Sequence, residues 1–210
     1  MTRFILLAVM ALFFTACGGG SSPQEVTPPA PVPVMKPAIH VHLFGDSTQA
    51  WNPHTGIQEA LPPGSTVQVS AWPGLTAIQH LNGVGTIGVP PFQWSVENCN
   101  CDTVVVNYGI NDSTKLGVDP ATFYFWISTM RQISTAAGKR FIWETPNPIL
   151  HAASPILESY AKVADGEVAD VYSAFITYGT WSSLMADSLH PNQDGYALAT
   201  GIVVKSLLKQ

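Results

Sequence analysis

The feature that most constrains the fold of this chain is its alternation of apolar, strand-like runs with helical stretches. The run Asp102–Asn107 has a β-branched centre, and a helical stretch over 120–137 separates it from the next run, Arg140–Glu144. Apolar runs that are each followed by a helix are typical of a parallel sheet covered by helices on both faces. The predicted strands are 39–44, 66–70, 102–107, 140–144 and 168–172, and the predicted helices are 76–82, 120–137, 155–164 and 195–208.

These elements predict an α/β protein: a three-layer α/β/α sandwich, flavodoxin-like, with a central parallel sheet of about five strands. A closed (β/α)₈ barrel typically needs about 250 residues, more than the 210 of the whole chain. In open parallel sheets, ligands bind beyond the carboxyl ends of the strands. The informative side chains are therefore expected just after the strands.

The charge composition excludes two classes of protein. Charged residues make up 11% of the chain, with Lys+Arg 9 against Asp+Glu 14 and a net charge of −5. A strongly charged, disordered protein does not have this composition. Since no basic stripe is present to engage phosphates, no nucleic-acid partner is expected.

The chain begins with the pattern of an export signal. Arg3 precedes an unbroken apolar run over residues 4–14, which is too short to span a bilayer comfortably, and Thr15-Ala16 offer small residues for cleavage. Cys17 then resembles the lipidated cysteine of bacterial lipoproteins. An ordinary signal peptide cleaved nearby remains the alternative.

This pattern predicts three parts: a lipoprotein-type signal peptide (1–16), a Pro/Gly/Ser-rich tether (17–38) that begins at the lipidated Cys17, and a folded domain (39–210). Such a protein is exported to the cell envelope and anchored by its lipid on the periplasmic or outer face of a bacterial membrane. Membrane contact is then expected only through the N-terminal lipid.

Two further features leave alternatives open. Cys99 and Cys101 could form a disulfide in an oxidising compartment or remain as thiols, and a metal site from this pair alone is not expected. His40 and His42 share one strand face, as metal ligands do in some barrel enzymes, but no matching ligands follow and structural roles are favoured.

Two polar motifs follow predicted strands. Gly45-Asp46-Ser47-Thr48 ends the first strand, so that Ser47 can point into the crevice near a helix N-terminus. Gly109-Ile110-Asn111-Asp112 follows the third strand and can aim the Asn111 side-chain amide at the same crevice. Each motif alone can be explained as a turn, with Ser47 as a helix cap.

A third motif, Asp187-Ser188-Leu189-His190, precedes the last predicted helix. An aspartate three residues before a histidine can hold one imidazole nitrogen while the other stays free, as in nucleophile–base–acid arrangements. The alternative is a simple helix start, with Pro191 in the first turn and Asn192 as a cap.

Taken together, the three motifs resemble the SGNH (GDSL) hydrolase family, and the resemblance covers nearly all of residues 39–210. The motifs that contain Ser47, Asn111 and His190 correspond to three of the four conserved sequence blocks of the family. The remaining block, a glycine after the second strand, corresponds to Gly74, where Ala71-Trp72-Pro73 replace the usual polar residues.

The resemblance implies a serine esterase that acts through an acyl-enzyme. Ser47 is then the nucleophile, His190 the base and Asp187 the group that orients His190. The backbone N–H groups of Ser47 and Gly74 and the side-chain amide of Asn111 would form the oxyanion hole. No metal or organic cofactor is implied, and the partner is a small-molecule, glycan or lipid ester.

Two alternatives stay open: a non-catalytic surface lipoprotein on the same fold that binds glycan or lipid, and an O-acyltransferase. Trp51, Trp72 and Trp94 could line a substrate pocket or fill the space between helices and sheet. Likewise, the long apolar connection 84–98 could cover the site or wrap the core.

Overall fold

A computed structural model of the protein describes residues 36–209. The predicted signal peptide (1–16), Cys17 and most of the predicted tether (17–38) lie outside the described residues. Within 36–209, no helix is both long enough and apolar enough to cross a membrane.

The sheet confirms the predicted fold class. Its five strands are all parallel and lie in the order β2-β1-β3-β4-β5, which is the flavodoxin-like order. The strands are β1 His40–Gly45, β2 Thr66–Ala71, β3 Thr103–Asn107, β4 Arg140–Glu144 and β5 Val168–Ala169.

Helices follow each strand. They are α1 Ser47–Trp51, α2 Thr55–Ala60, α3 Ala77–Asn82, α4 Phe92–Asn98, α5 Ile110–Leu116, α6 Pro120–Ala136, α7 Ser154–Lys162, α8 Val171–Thr177 and α9 Gln193–Leu207. The 3₁₀ turns Gly85–Ile87 and Trp181–Leu184 complete the regular structure of the described residues.

Both faces of the sheet are covered, which explains why the three central residues of β3 are all valine. Val104 and Val106 belong to one core cluster with Phe123 of α6, whereas Val105 belongs to a second cluster with Val203 of α9. Since successive side chains of a strand point to opposite faces, a strand between two helical layers has no polar side.

The structure corrects the fifth predicted strand, 168–172, which ends at Ala169. Asp170 accepts a hydrogen bond from the backbone N–H of Ser173, 3.0 Å away, and so caps α8. A capping aspartate satisfies a free N–H at a helix start, so the chain turns helical here. The predictions also missed the short helices α1, α2, α4, α5 and α8.

The connection 84–98 wraps the core, one of its two possible roles. Val89, Phe92 and Val96 are fully buried, and the Phe92 ring packs edge-on against Phe44 of β1 at 5.5 Å. Residues 92–98 form α4 instead of an irregular loop.

The sheet register brings three loops to one edge. Gly45, the last residue of β1, is paired with Ala71 of β2 on one side and with Asn107 of β3 on the other. The loops that follow these three strands therefore leave the same carboxyl edge side by side, and they contain Gly74, Ser47 and Asn111.

Candidate active site

Ser47 is placed by a sharp change from strand to helix. It is the first residue of α1, and the preceding Asp46 caps this helix by accepting a hydrogen bond from the N–H of Thr48 at 2.9 Å. Ser47 is only 8% exposed. An added Cβ at Gly45 would collide with the Gln49 side chain and lie 2.9 Å from the Asn107 carbonyl oxygen, so this turn requires glycine.

A serine, a histidine and an aspartate form one hydrogen-bonded chain at this edge. The Oγ of Ser47 lies 2.9 Å from Nε2 of His190, although 143 residues separate them. On the other side of the ring, Nδ1 of His190 lies 2.9 Å from Oδ2 and 3.1 Å from Oδ1 of Asp187. The structure thus brings together the three side chains that the sequence singled out.

Asp187 is fixed by the backbone of its own turn. Its Oδ1 accepts hydrogen bonds from the N–H groups of Leu189 and His190, each at 2.7 Å. Burial acts to raise the pKa of Asp187, but these N–H groups and the imidazole lower it, and the net shift is downward. The carboxylate is therefore ionised and available to the ring at neutral pH.

A neighbouring loop that the sequence reasoning did not single out supports the histidine turn. The buried side chain of Asn147, after β4, donates to the carbonyl of Leu189 at 3.2 Å, and the N–H of Leu150 donates to the carbonyl of Ser188 at 2.8 Å. The signal for this role was the position of Asn147 just beyond a strand end, in Thr145-Pro146-Asn147.

The three predicted oxyanion donors lie in adjacent loops. The backbone N–H groups of Ser47 and Gly74 have no hydrogen-bond partner among the described residues. Gly74 adopts a φ of +82°, which favours glycine, and its carbonyl accepts from Lys115 Nζ at 2.8 Å. The buried Asn111 amide donates one N–H to Asp46 Oδ2 at 2.8 Å, which fixes its orientation and leaves a second N–H.

Three carboxyl groups at this edge of the sheet are buried: Asp46 after β1, Asp112 in α5 after β3, and Glu144 at the end of β4. Burial raises the pKa of Asp46, against the opposing effect of its bonds to Thr48 and Asn111. Burial also raises the pKa of Asp112 to about 7 and that of Glu144 to about 8, and Asp46 adds to both shifts. Glu144 accepts a hydrogen bond from Gln49 of α1, so it helps to hold the helix that begins at Ser47.

The three tryptophans have different surroundings. Trp51 is 54% exposed, and its ring centroid lies 4.1 Å from that of His190. Trp72 is half-buried and packs against the core and the ring of His80. Trp94 is exposed on α4. Of the three, only Trp51 is shown in contact with one of the triad-like side chains.

The two open questions about cysteine and histidine have structural answers. Cys99 and Cys101 are joined by a disulfide. His40 and His42 each contact a hydroxyl of β2, since His40 Nδ1 lies 2.9 Å from Thr66 Oγ1 and His42 Nε2 lies 2.8 Å from Ser70 Oγ. These contacts are the structural roles that the sequence favoured.

Comparison with known families decides the assignment. Residues 43–198 match the sequence profile of the GDSL-like Lipase/Acylhydrolase family. The chain belongs to this family. The matched range contains Ser47, Gly74, Asn111, Asp187 and His190, so every block of the predicted resemblance lies within it.

Solved structures share the fold of this GDSL-like family member. A proposed SGNH hydrolase from Slackia heliotrinireducens aligns with a TM-score of 0.64 at 20% identity, covering 81% of this chain and 100% of the other. A catalytic mutant of an acetylxylan esterase from Geobacillus stearothermophilus aligns with a TM-score of 0.63 at 16% identity, covering 84% and 98%.

A carbohydrate esterase family 3 protein from Talaromyces cellulolyticus aligns with a TM-score of 0.60 at 17% identity, covering 81% of this chain and 97% of the other. No curated protein matches the sequence of this GDSL-like chain significantly. The likeness to the solved structures therefore concerns the fold, and the family assignment comes from the sequence profile.

Proposed function

We propose that this protein is a serine esterase that hydrolyses carboxylic esters through an acyl-enzyme. The observation that supports this most directly is the hydrogen-bonded chain from Ser47 through His190 to Asp187. A serine hydroxyl is a weak nucleophile unless a base lies next to it, and a base needs a third group to fix its tautomer. His190 is such a base beside Ser47, and Asp187 is such a third group beside His190.

In the first half of the reaction, Ser47 Oγ attacks the ester carbonyl carbon while His190 Nε2 takes the hydroxyl proton. Asp187 accepts the Nδ1–H of the resulting imidazolium and stabilises its charge. The imidazolium then gives the proton to the leaving alkoxide oxygen, so the alcohol departs and the acyl group remains on Ser47. Water next attacks the acyl carbon, with His190 again as base, and releases the carboxylic acid.

The developing negative charge on the carbonyl oxygen needs fixed donors. The N–H groups of Ser47 and Gly74 and the second side-chain N–H of Asn111 are the donors we assign to it, because the three loops leave adjacent strands. Donors that are already oriented need no reorganisation during the reaction, and each typically contributes about 3 to 4 kcal/mol to the transition state. Asp46 provides this orientation for Asn111.

Two observations favour an ester carried on a glycan. Trp51 exposes about half of its surface directly beside the His190 ring, and an aromatic face at this place can stack on the apolar face of a sugar. In addition, two of the structural neighbours are described as an acetylxylan esterase and a carbohydrate esterase.

We also propose that the protein is exported and held at the cell envelope by a lipid on Cys17. The charged start, the apolar run over 4–14 and the position of Cys17 support this. The corresponding test is Cys17→Ser, which should move the protein from the membrane fraction to the soluble fraction. An unchanged distribution would contradict lipid anchoring.

The esterase proposal is tested with Ser47→Ala and a short p-nitrophenyl ester. We expect kcat/KM to fall by at least about 10³-fold, with an unchanged far-UV circular dichroism spectrum. Ser182→Ala, an exposed serine in a 3₁₀ turn, is the matched control and should keep full activity. A fluorophosphonate probe should label the wild type and the control but not Ser47→Ala.

Each result separates the candidate functions. A wild-type protein that neither hydrolyses esters nor reacts with the probe is the non-catalytic binding protein. An active Ser47→Ala variant would overturn the assignment of the nucleophile. Transfer of the acyl group to an added sugar acceptor, in preference to water, would show an O-acyltransferase. Acetylated xylan and acetylated peptidoglycan, compared with esters of increasing acyl length, test the glycan substrate.

A further inference from the structure

A second cluster of reactive side chains lies where the chain enters β3, away from the carboxyl edge of the sheet that carries Ser47. Cys99 directly follows α4, Cys101 comes just before β3, and His42 lies in the middle of the neighbouring strand β1. The two sulfur atoms and one imidazole nitrogen of His42 all lie within 4.8 Å of one another. Nothing in the proposed esterase mechanism uses these three side chains.

His42 is oriented toward a ligand role by its other contacts. Its Nε2 is paired with Ser70 Oγ, and its ring stacks on Phe44 with centroids 4.1 Å apart. Its Nδ1 is buried and has no hydrogen-bond partner among the described residues. A histidine that donates one N–H to a neighbouring oxygen presents the lone pair of its other nitrogen, and such a partner is typical around metal-binding histidines.

We propose that the reduced protein binds one thiophilic divalent cation, such as Zn²⁺, through Cys99 Sγ, Cys101 Sγ and His42 Nδ1. A water molecule completes the tetrahedron. Two thiolates and a neutral imidazole are ligands that Zn²⁺ prefers, and they balance its charge. With Zn–S bonds of about 2.3 Å and a Zn–N bond of about 2.0 Å, the ligand atoms of a tetrahedral site lie about 3.5 to 3.8 Å apart. The two sulfur atoms are bonded to each other here, so they must move apart to that separation once the disulfide is reduced.

The disulfide controls whether the site exists. A dithiol reductant transfers two electrons to the Cys99–Cys101 bond, which becomes two thiols while the reductant becomes a disulfide. Each thiol then releases one proton as it binds the cation, and the two protons go to solvent. In the oxidised protein the sulfurs carry no charge and hold no cation. When a disulfide oxidant accepts two electrons from the bound thiolates, the Cys99–Cys101 bond forms again, the oxidant takes up two protons and becomes a dithiol, and the cation is released.

The test uses Co²⁺ as a spectroscopic substitute for Zn²⁺, with the full chain carrying Cys17→Ser in every protein so that only two thiols are present. After anaerobic reduction and removal of the reductant, Co²⁺ titration should give a thiolate-to-cobalt absorption band in the near ultraviolet. The band should saturate at one Co²⁺ per chain and disappear when Zn²⁺ is added. The oxidised protein should give no band.

Two variants locate the ligands. Cys99→Ser/Cys101→Ser should abolish the band, and His42→Gln should weaken Co²⁺ binding at least tenfold. His40→Gln is the matched control, because His40 lies on the same face of the same strand and pairs with Thr66 as His42 pairs with Ser70. His40→Gln should bind as the wild type does. Circular dichroism and ester hydrolysis report whether each variant is folded.

The outcomes are decisive in both directions. Absence of the band in the folded, reduced protein would overturn the proposal. Equal Co²⁺ affinity of His42→Gln and His40→Gln would remove His42 from the site, and binding by the oxidised protein would show that the cysteine thiolates are not needed.

Discussion

Replacing Glu144 by glutamine should stabilise the protein at neutral pH, although it removes a carboxyl group from the structure. Glu144 is buried at the end of β4, where it accepts a hydrogen bond from Gln49. Burial raises the pKa of Glu144 from its ordinary 4.5 to about 8. The folded protein therefore keeps a proton on Glu144 at pH 7 that the unfolded chain has lost.

The expected magnitude follows from this difference. Below pH 4.5 both states hold the proton, and Glu144 has no pH-dependent effect on stability. Between pH 4.5 and about 8 only the unfolded state ionises, so stability falls with rising pH by about 1.4 kcal/mol per unit. At pH 7 the loss is about 3 kcal/mol. A glutamine at position 144 is neutral in the folded and the unfolded state, so the variant does not lose this stability.

Glutamine also suits the surroundings of Glu144. The Oε1 of Gln49 is buried and has no hydrogen-bond partner among the described residues. An amide at position 144 can accept from the Gln49 N–H through its oxygen and donate to Gln49 Oε1 through its nitrogen. The gain at pH 7 should therefore be about 3 kcal/mol, because glutamine keeps the hydrogen bond with Gln49 and has no proton to lose on unfolding.

The assay is urea unfolding at several pH values between 5 and 8, for the wild type and Glu144→Gln. The two free energies of unfolding should differ by less than about 1 kcal/mol near pH 5 and separate steadily as the pH rises. Glu97→Gln is the matched control, because Glu97 also accepts from a glutamine, Gln93, at 2.8 Å but on the surface. It should change stability by less than about 0.5 kcal/mol. Parallel curves for wild type and Glu144→Gln would refute the reasoning.

Two other substitutions test how the site is built. Gly45→Ala should destabilise the fold by about 1 to 3 kcal/mol, because the new methyl group meets the Gln49 side chain and the Asn107 carbonyl; thermal unfolding measures this, and an unchanged Tm would contradict it. Asn111→Ala should lower kcat about 100- to 1,000-fold on a p-nitrophenyl ester with little change in KM, and an effect on KM alone would exclude the oxyanion role.

The order of elements could be read from the sequence because it depends on local patterns. Apolar runs such as Asp102–Asn107, followed by a capped helix after Asp119-Pro120, predict a parallel sheet with two helical layers, since strands buried on both faces have no polar side. The short helices that the predictions missed, of five to seven residues, show no such local pattern. The helix 171–177 follows directly on β5, and its start depends on the cap at Asp170 more than on any periodicity.

In the candidate site, too, some features follow from the sequence and others only from tertiary packing. The residue types and their positions after strand ends singled out Ser47, Asn111 and His190, because parallel strands direct such residues to one edge. The tertiary structure alone decided the 2.9 Å contact of Ser47 with His190, the support from Asn147, and the burial that raises the pKa of Glu144. Sequence carries the chemistry of each side chain, whereas distances and desolvation arise only when distant segments pack together.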